Sequence, residues 1–163
     1  MFGALAASGT WVTPTLTIHD LMLRVGRRLD AARDTTFFLE AGTPGLFSET
    51  RSAKTLRLAA ENWALYQQVV RDLRDAGVKL LAGSDVPTQI VAGAGLQAEL
   101  ILLQRAGLSP LEALQTATLQ PARYFAATDS MGTIAPGHVA DLVFLARNPL
   151  EDVANVQTIE GVM

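Results

Sequence analysis

The chain has 163 residues, a length suited to one domain, and 49% of them are apolar. The net charge is −3 without a basic run, and no apolar stretch reaches the ~18 residues that a membrane span needs. Nucleic acid and the bilayer are therefore not expected partners. The absence of cysteine excludes disulfides and thiolate metal sites but leaves the compartment open. A cytoplasmic location is our expectation.

The first third of the sequence predicts a helix end followed by a strand. Residues 1–8 favour the end of a helix that stops at Gly9, and residues 11–16 favour a short strand whose proline, Pro14, requires an edge or strand-end position. Residues 21–29 have weak helical spacing, and the breaker in residues 35–50 predicts a loop. The chain thus begins within one element. It also ends within a predicted strand, so we interpret it as a piece of a larger fold.

The clearest helix is predicted over residues 51–76. Apolar residues recur every three or four positions and form one stripe, and Gly77 follows in the position that usually ends a helix. A short strand over residues 78–82 comes next, and Asp85 lies in the turn at its carboxyl end. The stripe consists of Leu56, Ala59, Trp63, Tyr66, Val70 and Leu73.

A second pair of helices is predicted beyond that turn. Gly93 and Gly95 lead into a helix whose Leu96, Leu100 and Leu103 share one face, up to Gly107. The glycine spacing lacks the lysine of a phosphate-binding loop, so we favour a loop that enters a helix. Residues 109–112, Ser-Pro-Leu-Glu, predict a capping box that starts a helix running to about residue 120.

The last part of the chain changes to a period typical of strands. Strands are predicted over residues 139–145 and 156–163, with a break at residues 148–149. The whole sequence therefore reads strand–helix–strand–helix and then a small β element. The first part of this order is typical of a parallel α/β sheet or barrel.

Three segments of the sequence resemble the metal-dependent amidohydrolases, and they occur in the same order along the chain as in that family. Residues 132–145, GTIAPGHVADLVFL, are similar to the family pattern GxIxxGxxADLVxL. Residues 99–122 follow its ELxxLxxAGL…EAL…AT…PA series, and residues 11–16, WVTPTL, are similar to its WVVPTL strand. The imidazolonepropionase-like and prolidase-like enzymes are the subgroup that the sequence resembles most.

The resemblance implies an α/β fold, the C-terminal part of a (β/α)8 TIM barrel. Residues 12–16 would be its seventh strand and residues 78–82 its eighth. A partial barrel domain would cover residues 1–127, and part of a small β-sandwich would cover residues 128–163.

The resemblance also implies a site. Asp85 would follow the eighth strand as the catalytic general base and acid, and as a ligand of one or two Zn²⁺ ions. The remaining ligands, mainly histidines, would lie upstream of the chain. The parent protein would hydrolyse a C–N bond in a cyclic amide or in a dipeptide, through a metal-activated water. The isolated chain would then be inactive.

The residues alone leave other interpretations open. By residue type Asp85 favours a turn or cap aspartate over a catalytic one. His19 is a candidate substrate contact or an ordinary loop histidine, and His138 is expected to be an exposed turn residue. The rival class of function is a non-catalytic scaffold or oligomerisation domain. Strand edges left unpaired by a partial barrel predict a homo-oligomer.

Overall fold

The computed structural model describes residues 1–20, 53–85 and 93–163, with the backbone alone for residues 53–60. Its elements alternate between helices and short strands before a terminal β element. In chain order they are α1 (Phe2–Ala7), β1 (Trp11–Val12), α2 (Ala53–Asp75), β2 (Lys79–Leu80), α3 (Ala94–Arg105), α4 (Pro110–Thr116), α5 (Leu119–Tyr124), β3 (Val143–Leu145), a 3-10 helix (Val153–Gln157) and β4 (Ile159–Val162).

Strands β1 and β2 form a parallel pair, and α2 lies between them in sequence. Trp11 is paired with Lys79 and Val12 with Leu80. The pairing extends one residue further, because the Leu81 N–H donates to the Val12 carbonyl at 3.0 Å. Parallel neighbours need a crossover connection, which is the role a helix between two strands fills.

Both strands are shorter than predicted. The strand expected over residues 12–16 ends at Val12, because Thr15 adopts a φ of +52° and residues 16–20 are helical. The strand expected over residues 78–82 is confined to Lys79–Leu80. Beyond it the Ala82 N–H donates to the carbonyl of Thr116 at the end of α4, and not to another strand.

The long helix was predicted correctly and supplies one side of the core. Trp63, Tyr66, Val70 and Leu73 all belong to or pack against the buried cluster. The side chains of Leu56 and Ala59 lie outside the described residues. Gly77 ends the helix with a φ of +76°, and the Val78 N–H returns to the Leu73 carbonyl at 3.0 Å. A left-handed residue at this position is the usual way to close a helix.

Helix α3 packs with a different face from the one predicted. Leu100 and Leu103 are buried as expected, but Leu96 is 43% exposed. Gly95 and Glu99 are buried instead. The inward face of α3 thus includes a carboxylate that an apolar pattern does not reveal.

The capping box at the start of α4 is confirmed. The Ser109 side chain accepts from the Glu112 N–H at 3.2 Å, and the Glu112 carboxylate accepts from the Ser109 N–H at 2.7 Å. The helix ends at Thr116, earlier than the predicted residue 120, and α5 begins at Leu119.

The terminal β element is a two-stranded antiparallel pair of β3 and β4. The predicted strands are longer than the observed ones: β3 begins only at Val143, and β4 begins only at Ile159 because the chain forms a 3-10 helix over Val153–Gln157. Val153 and Val156 of that turn are buried in the main core, and the Val153 N–H donates to Gln104 of α3 at 2.9 Å. The segments predicted over residues 21–29 and 35–50 lie outside the described residues.

Apolar side chains remain exposed on the terminal pair. Val143 is 56% exposed, Phe144 49% and Val162 73%. Within the described ranges each sheet has only two strands, so each strand has an unpaired edge. Such edges and apolar patches drive association. In the same part of the chain no helix is long and apolar enough to cross a membrane.

We predict that the purified 163-residue chain self-associates. Val162→Lys places a charge on β4 and is expected to shift the chain towards the monomer in size-exclusion chromatography with light scattering. Glu160→Lys introduces the same side chain nearby without removing the apolar group and serves as the control. A monomeric wild-type chain with a sharp two-state melt would contradict the prediction.

Candidate active site

The carboxyl ends of β1 and β2 define the candidate site. Since the two strands are parallel, the chain leaves both of them at the same edge of the sheet. After β1 it passes through a sharp turn into helical residues 16–20, which carry His19. After β2 it passes through Gly83 and Ser84 to Asp85. The carboxyl ends of parallel strands are where α/β barrels place their reactive side chains.

Asp85 is exposed at this edge with a backbone φ of +46°. A positive φ is uncommon for a residue other than glycine, although aspartate tolerates it better than most. The segment before it lies tightly against the loop that follows β1. A Cβ added at Gly83 would lie 2.6 Å from Thr13 Cγ2, so only glycine fits there without a shift. This close approach fixes where the backbone of Asp85 emerges.

His19 lies near enough to Asp85 for the carboxylate to affect its pKa. Its half-buried ring stacks on Tyr66 of α2, with ring centroids 4.1 Å apart and an interplanar angle of 29°. Burial lowers the pKa of His19, and the nearby Asp85 carboxylate raises it in part. The lowered pKa favours the neutral imidazole beside an exposed carboxylate. Tyr66 also packs against the core, and the stack on His19 is a contact that its place in the apolar stripe did not predict.

The turn after β1 is held by Glu99, a completely buried side chain of α3. One carboxylate oxygen accepts from the Leu16 N–H at 2.9 Å. The other accepts from the Thr17 N–H and from the Thr17 hydroxyl, both at 2.7 Å. Burial raises the pKa of Glu99, and the hydrogen bonds from Thr17 and Leu16 oppose that rise. Both oxygens are thus used to bind one short segment of backbone.

Sequence reasoning missed Glu99 and Thr17 as parts of this region. Glu99 begins the ELxxL pattern that carries the resemblance, and it lies one helical turn from Leu103 on the buried side of α3. A charged residue on a face that must be buried was the available signal, because such a residue requires polar partners.

His138 lies in the C-terminal tail, residues 128–163, and is half-buried, whereas the sequence predicted an exposed turn residue. Its Nδ1 lies 3.0 Å from the carbonyl oxygen of Thr133. This hydrogen bond across the turn gives His138 a local structural role.

The described residues do not make up a metal centre. Within residues 1–20, 53–85 and 93–163, no cluster of three or more His, Cys, Asp or Glu side chains is placed to hold a metal ion. A hydrolytic zinc site usually takes three protein ligands, with histidine prominent among them. His19 and Asp85 lie at the same edge, but two side chains are fewer than the three ligands that such a zinc site usually takes.

The sequence profile of the Amidohydrolase family matches residues 3–163. The chain belongs to the Amidohydrolase family. The resemblance seen in the sequence is thereby confirmed, and it extends over nearly the whole chain.

Individual relatives agree with this assignment. Ochratoxinase from Aspergillus niger is 30% identical over 147 residues, which are 89% of this chain and 29% of that protein. Adenine deaminase from Ligilactobacillus salivarius (strain UCC118) is 40% identical over 80 residues, which are 48% of this chain and 13% of that protein. This amidohydrolase chain therefore spans under a third of the length of either relative.

A solved structure shows the same fold. A Xaa-Pro dipeptidase with methionine bound in its active site superposes with a TM-score of 0.72 at 20% identity. The match covers 99% of this chain and 35% of the dipeptidase. The fold is therefore of the TIM-barrel type found in the amidohydrolases, and this chain covers only part of it.

The contact between the two loops gives a prediction for Gly83→Ala. The added methyl group would press on Thr13 Cγ2, and overpacking of this kind costs roughly 1–3 kcal/mol of folding free energy. Thr13→Ser removes that methyl group and is expected to restore most of the loss in the double variant. Equal denaturation midpoints for wild type and Gly83→Ala would show that the loops do not touch.

A second prediction concerns metal binding by this chain alone. The sequence has two histidines and no cysteine, so the usual ligand set is incomplete. After dialysis against metal-free buffer, metal analysis is expected to find no stoichiometric zinc. One zinc ion retained per chain at submicromolar affinity would contradict this expectation.

Proposed function

We propose that this chain supplies the Asp85 edge of the active site of a hydrolase that cleaves C–N bonds. The observation that carries the proposal is the placement of Asp85. An amidohydrolase chain with a TIM-barrel-type fold holds this exposed carboxylate, with a positive φ, at the carboxyl end of a parallel strand. We further propose that β1 and β2 correspond to the seventh and eighth strands of the barrel.

Asp85 has the chemistry that such a reaction needs. As a carboxylate it accepts a proton from the water whose oxygen attacks the carbon of the scissile C–N bond. As the resulting acid it donates that proton to the leaving nitrogen when the bond breaks. One exposed side chain is thus base in the first step and acid in the second, and it ends the cycle as a carboxylate.

His19 is proposed as a contact for a polar group of the substrate. Burial lowers the pKa of His19 and so favours the neutral imidazole, which can both donate and accept a hydrogen bond. The stack on Tyr66 restricts the ring to one orientation.

The relatives support a general class of reaction for the proposed enzyme. Ochratoxinase and adenine deaminase, and the fold shared with a Xaa-Pro dipeptidase, support the hydrolysis of C–N bonds in small molecules or dipeptides. We propose a cyclic amide or a dipeptide with an imide bond to proline. One or two zinc ions held mainly by residues outside this chain belong to the proposal, and the isolated chain is then expected to be inactive.

Asp85→Asn tests the proposal in the longer protein that contains this chain. The amide keeps the size of the side chain but cannot accept the proton, so kcat is expected to fall at least ~100-fold. Turnover is measured on a panel of proline-containing dipeptides and cyclic amides. Asp141→Asn changes an exposed aspartate in the tail and is the matched control, expected to retain full activity. Unchanged turnover in Asp85→Asn would mean that Asp85 is only a turn residue.

A further inference from the structure

Glu99 is a carboxylate with no exposed surface, and its described partners are all uncharged. Removing such a group from water is unfavourable unless hydrogen bonds replace the lost hydration. Its partners come from residues far away in sequence, on the loop that follows β1. The arrangement therefore links α3 to one particular segment of backbone.

That segment is the start of a helical turn. The first N–H groups of a helix have no partner inside it and are usually capped by a side chain at the N-terminus. Here the amides of Leu16 and Thr17 are capped by Glu99 from another helix. Thr15, with a φ of +52°, turns the chain so that both amides meet the carboxylate. The Thr17 hydroxyl adds a bond to Glu99 and lies 3.3 Å from the Gly95 carbonyl.

We propose that Glu99 is a positioning residue: by anchoring the amides of Leu16 and Thr17 it sets the direction of the helical turn that carries His19 towards Asp85. The assignment of His19 and Asp85 to one catalytic edge rests on the proposed function. The anchoring by Glu99 is independent of the proposed function, because it concerns only how Glu99 determines the position of the His19 ring.

The use of glutamate in this buried place has a chemical reason. Both oxygens of the carboxylate accept, one from Leu16 and the other from Thr17. Glutamine has one acceptor oxygen, and its NH₂ group would face a donor. A carboxylate, with two acceptor oxygens, therefore matches the donors that converge on this buried position better than an amide does.

The chain offers a direct spectroscopic test, since His19 and His138 are its only histidines. In the histidine-labelled full chain, the stack on Tyr66 is expected to shift the NMR signal of the His19 ring. Glu99→Gln is expected to move this signal towards its random-coil position and leave that of His138 unchanged. Hydrogen exchange at the Leu16 or the Thr17 amide is expected to rise at least about tenfold, because the single acceptor oxygen of glutamine can serve only one of these two sides.

Glu112→Gln is the matched control. Glu112 also accepts from a backbone N–H at a helix start, but at the exposed capping box of α4. The same chemical change there is expected to leave the His19 signal in place. A His19 signal that is unmoved by Glu99→Gln, or moved equally by Glu112→Gln, would overturn the proposal.

A pair of milder variants decides the matter if Glu99→Gln loses its fold. Thr17→Ser keeps the hydroxyl bonded to Glu99 and is expected to retain the His19 signal. Thr17→Val removes it and is expected to shift the signal part of the way that Glu99→Gln does. Identical signals in both variants would overturn the proposal. Since none of these measurements uses turnover, their failure is distinct from a failure of Asp85→Asn to lower kcat.

Discussion

The parallel pairing of β1 with β2 is the constraint on which the candidate site depends. The pairing register, Trp11 with Lys79 and Val12 with Leu80, brings the carboxyl ends of both strands to one edge. The loops that follow then have to pass side by side, and Gly83 allows this by leaving room for the Thr13 methyl group. His19 and Asp85, which are distant in sequence, approach each other as a consequence.

The same edge collects features that are unfavourable for stability in isolation. Thr15 and Asp85 have a positive φ, and Glu99 is a carboxylate without exposed surface. Strained backbone of this kind costs on the order of 1–3 kcal/mol at each residue and persists only where surrounding contacts determine it. At Thr15 the determining contacts are the hydrogen bonds to Glu99. At Asp85 they are the strand pairing and the Thr13–Gly83 contact. An edge built in this way holds two loops in fixed positions.

The sequence predicted what depends on neighbouring residues. The stripe of α2, the left-handed Gly77 and the capping box of Ser109 and Glu112 are local signals. The structure confirms the capping box, Gly77 and the part of the stripe from Trp63 to Leu73. The strand over residues 12–16 was wrong because Leu16 and Thr17 are bound by Glu99, which local pattern cannot indicate. Leu96 was expected on the buried face of α3, but Gly95 and Glu99 are buried there instead.

The candidate site was harder to predict from the sequence than the helices were. By residue type alone Asp85 is an ordinary turn aspartate, and only the family resemblance made it a candidate for catalysis. The structure adds the proximity of His19 and the stack on Tyr66, which depend on three separate elements meeting. Contacts between residues that are distant in sequence produce no regular spacing, so the sequence alone did not predict them.

A disulfide trap tests the central pairing most directly. The Cβ of Thr13 lies 4.0 Å from a Cβ built at position 83, within the separation of about 3.5–4.5 Å that a disulfide needs. Since the chain has no cysteine, Thr13→Cys with Gly83→Cys introduces one defined pair. Mild oxidation is predicted to form an intramolecular disulfide in most molecules, whereas Thr10→Cys with Gly83→Cys, at opposite ends of the strand pair, is predicted to stay reduced. A first pair that remains reduced, or a control pair that oxidises as readily, would contradict the parallel arrangement and the site built on it.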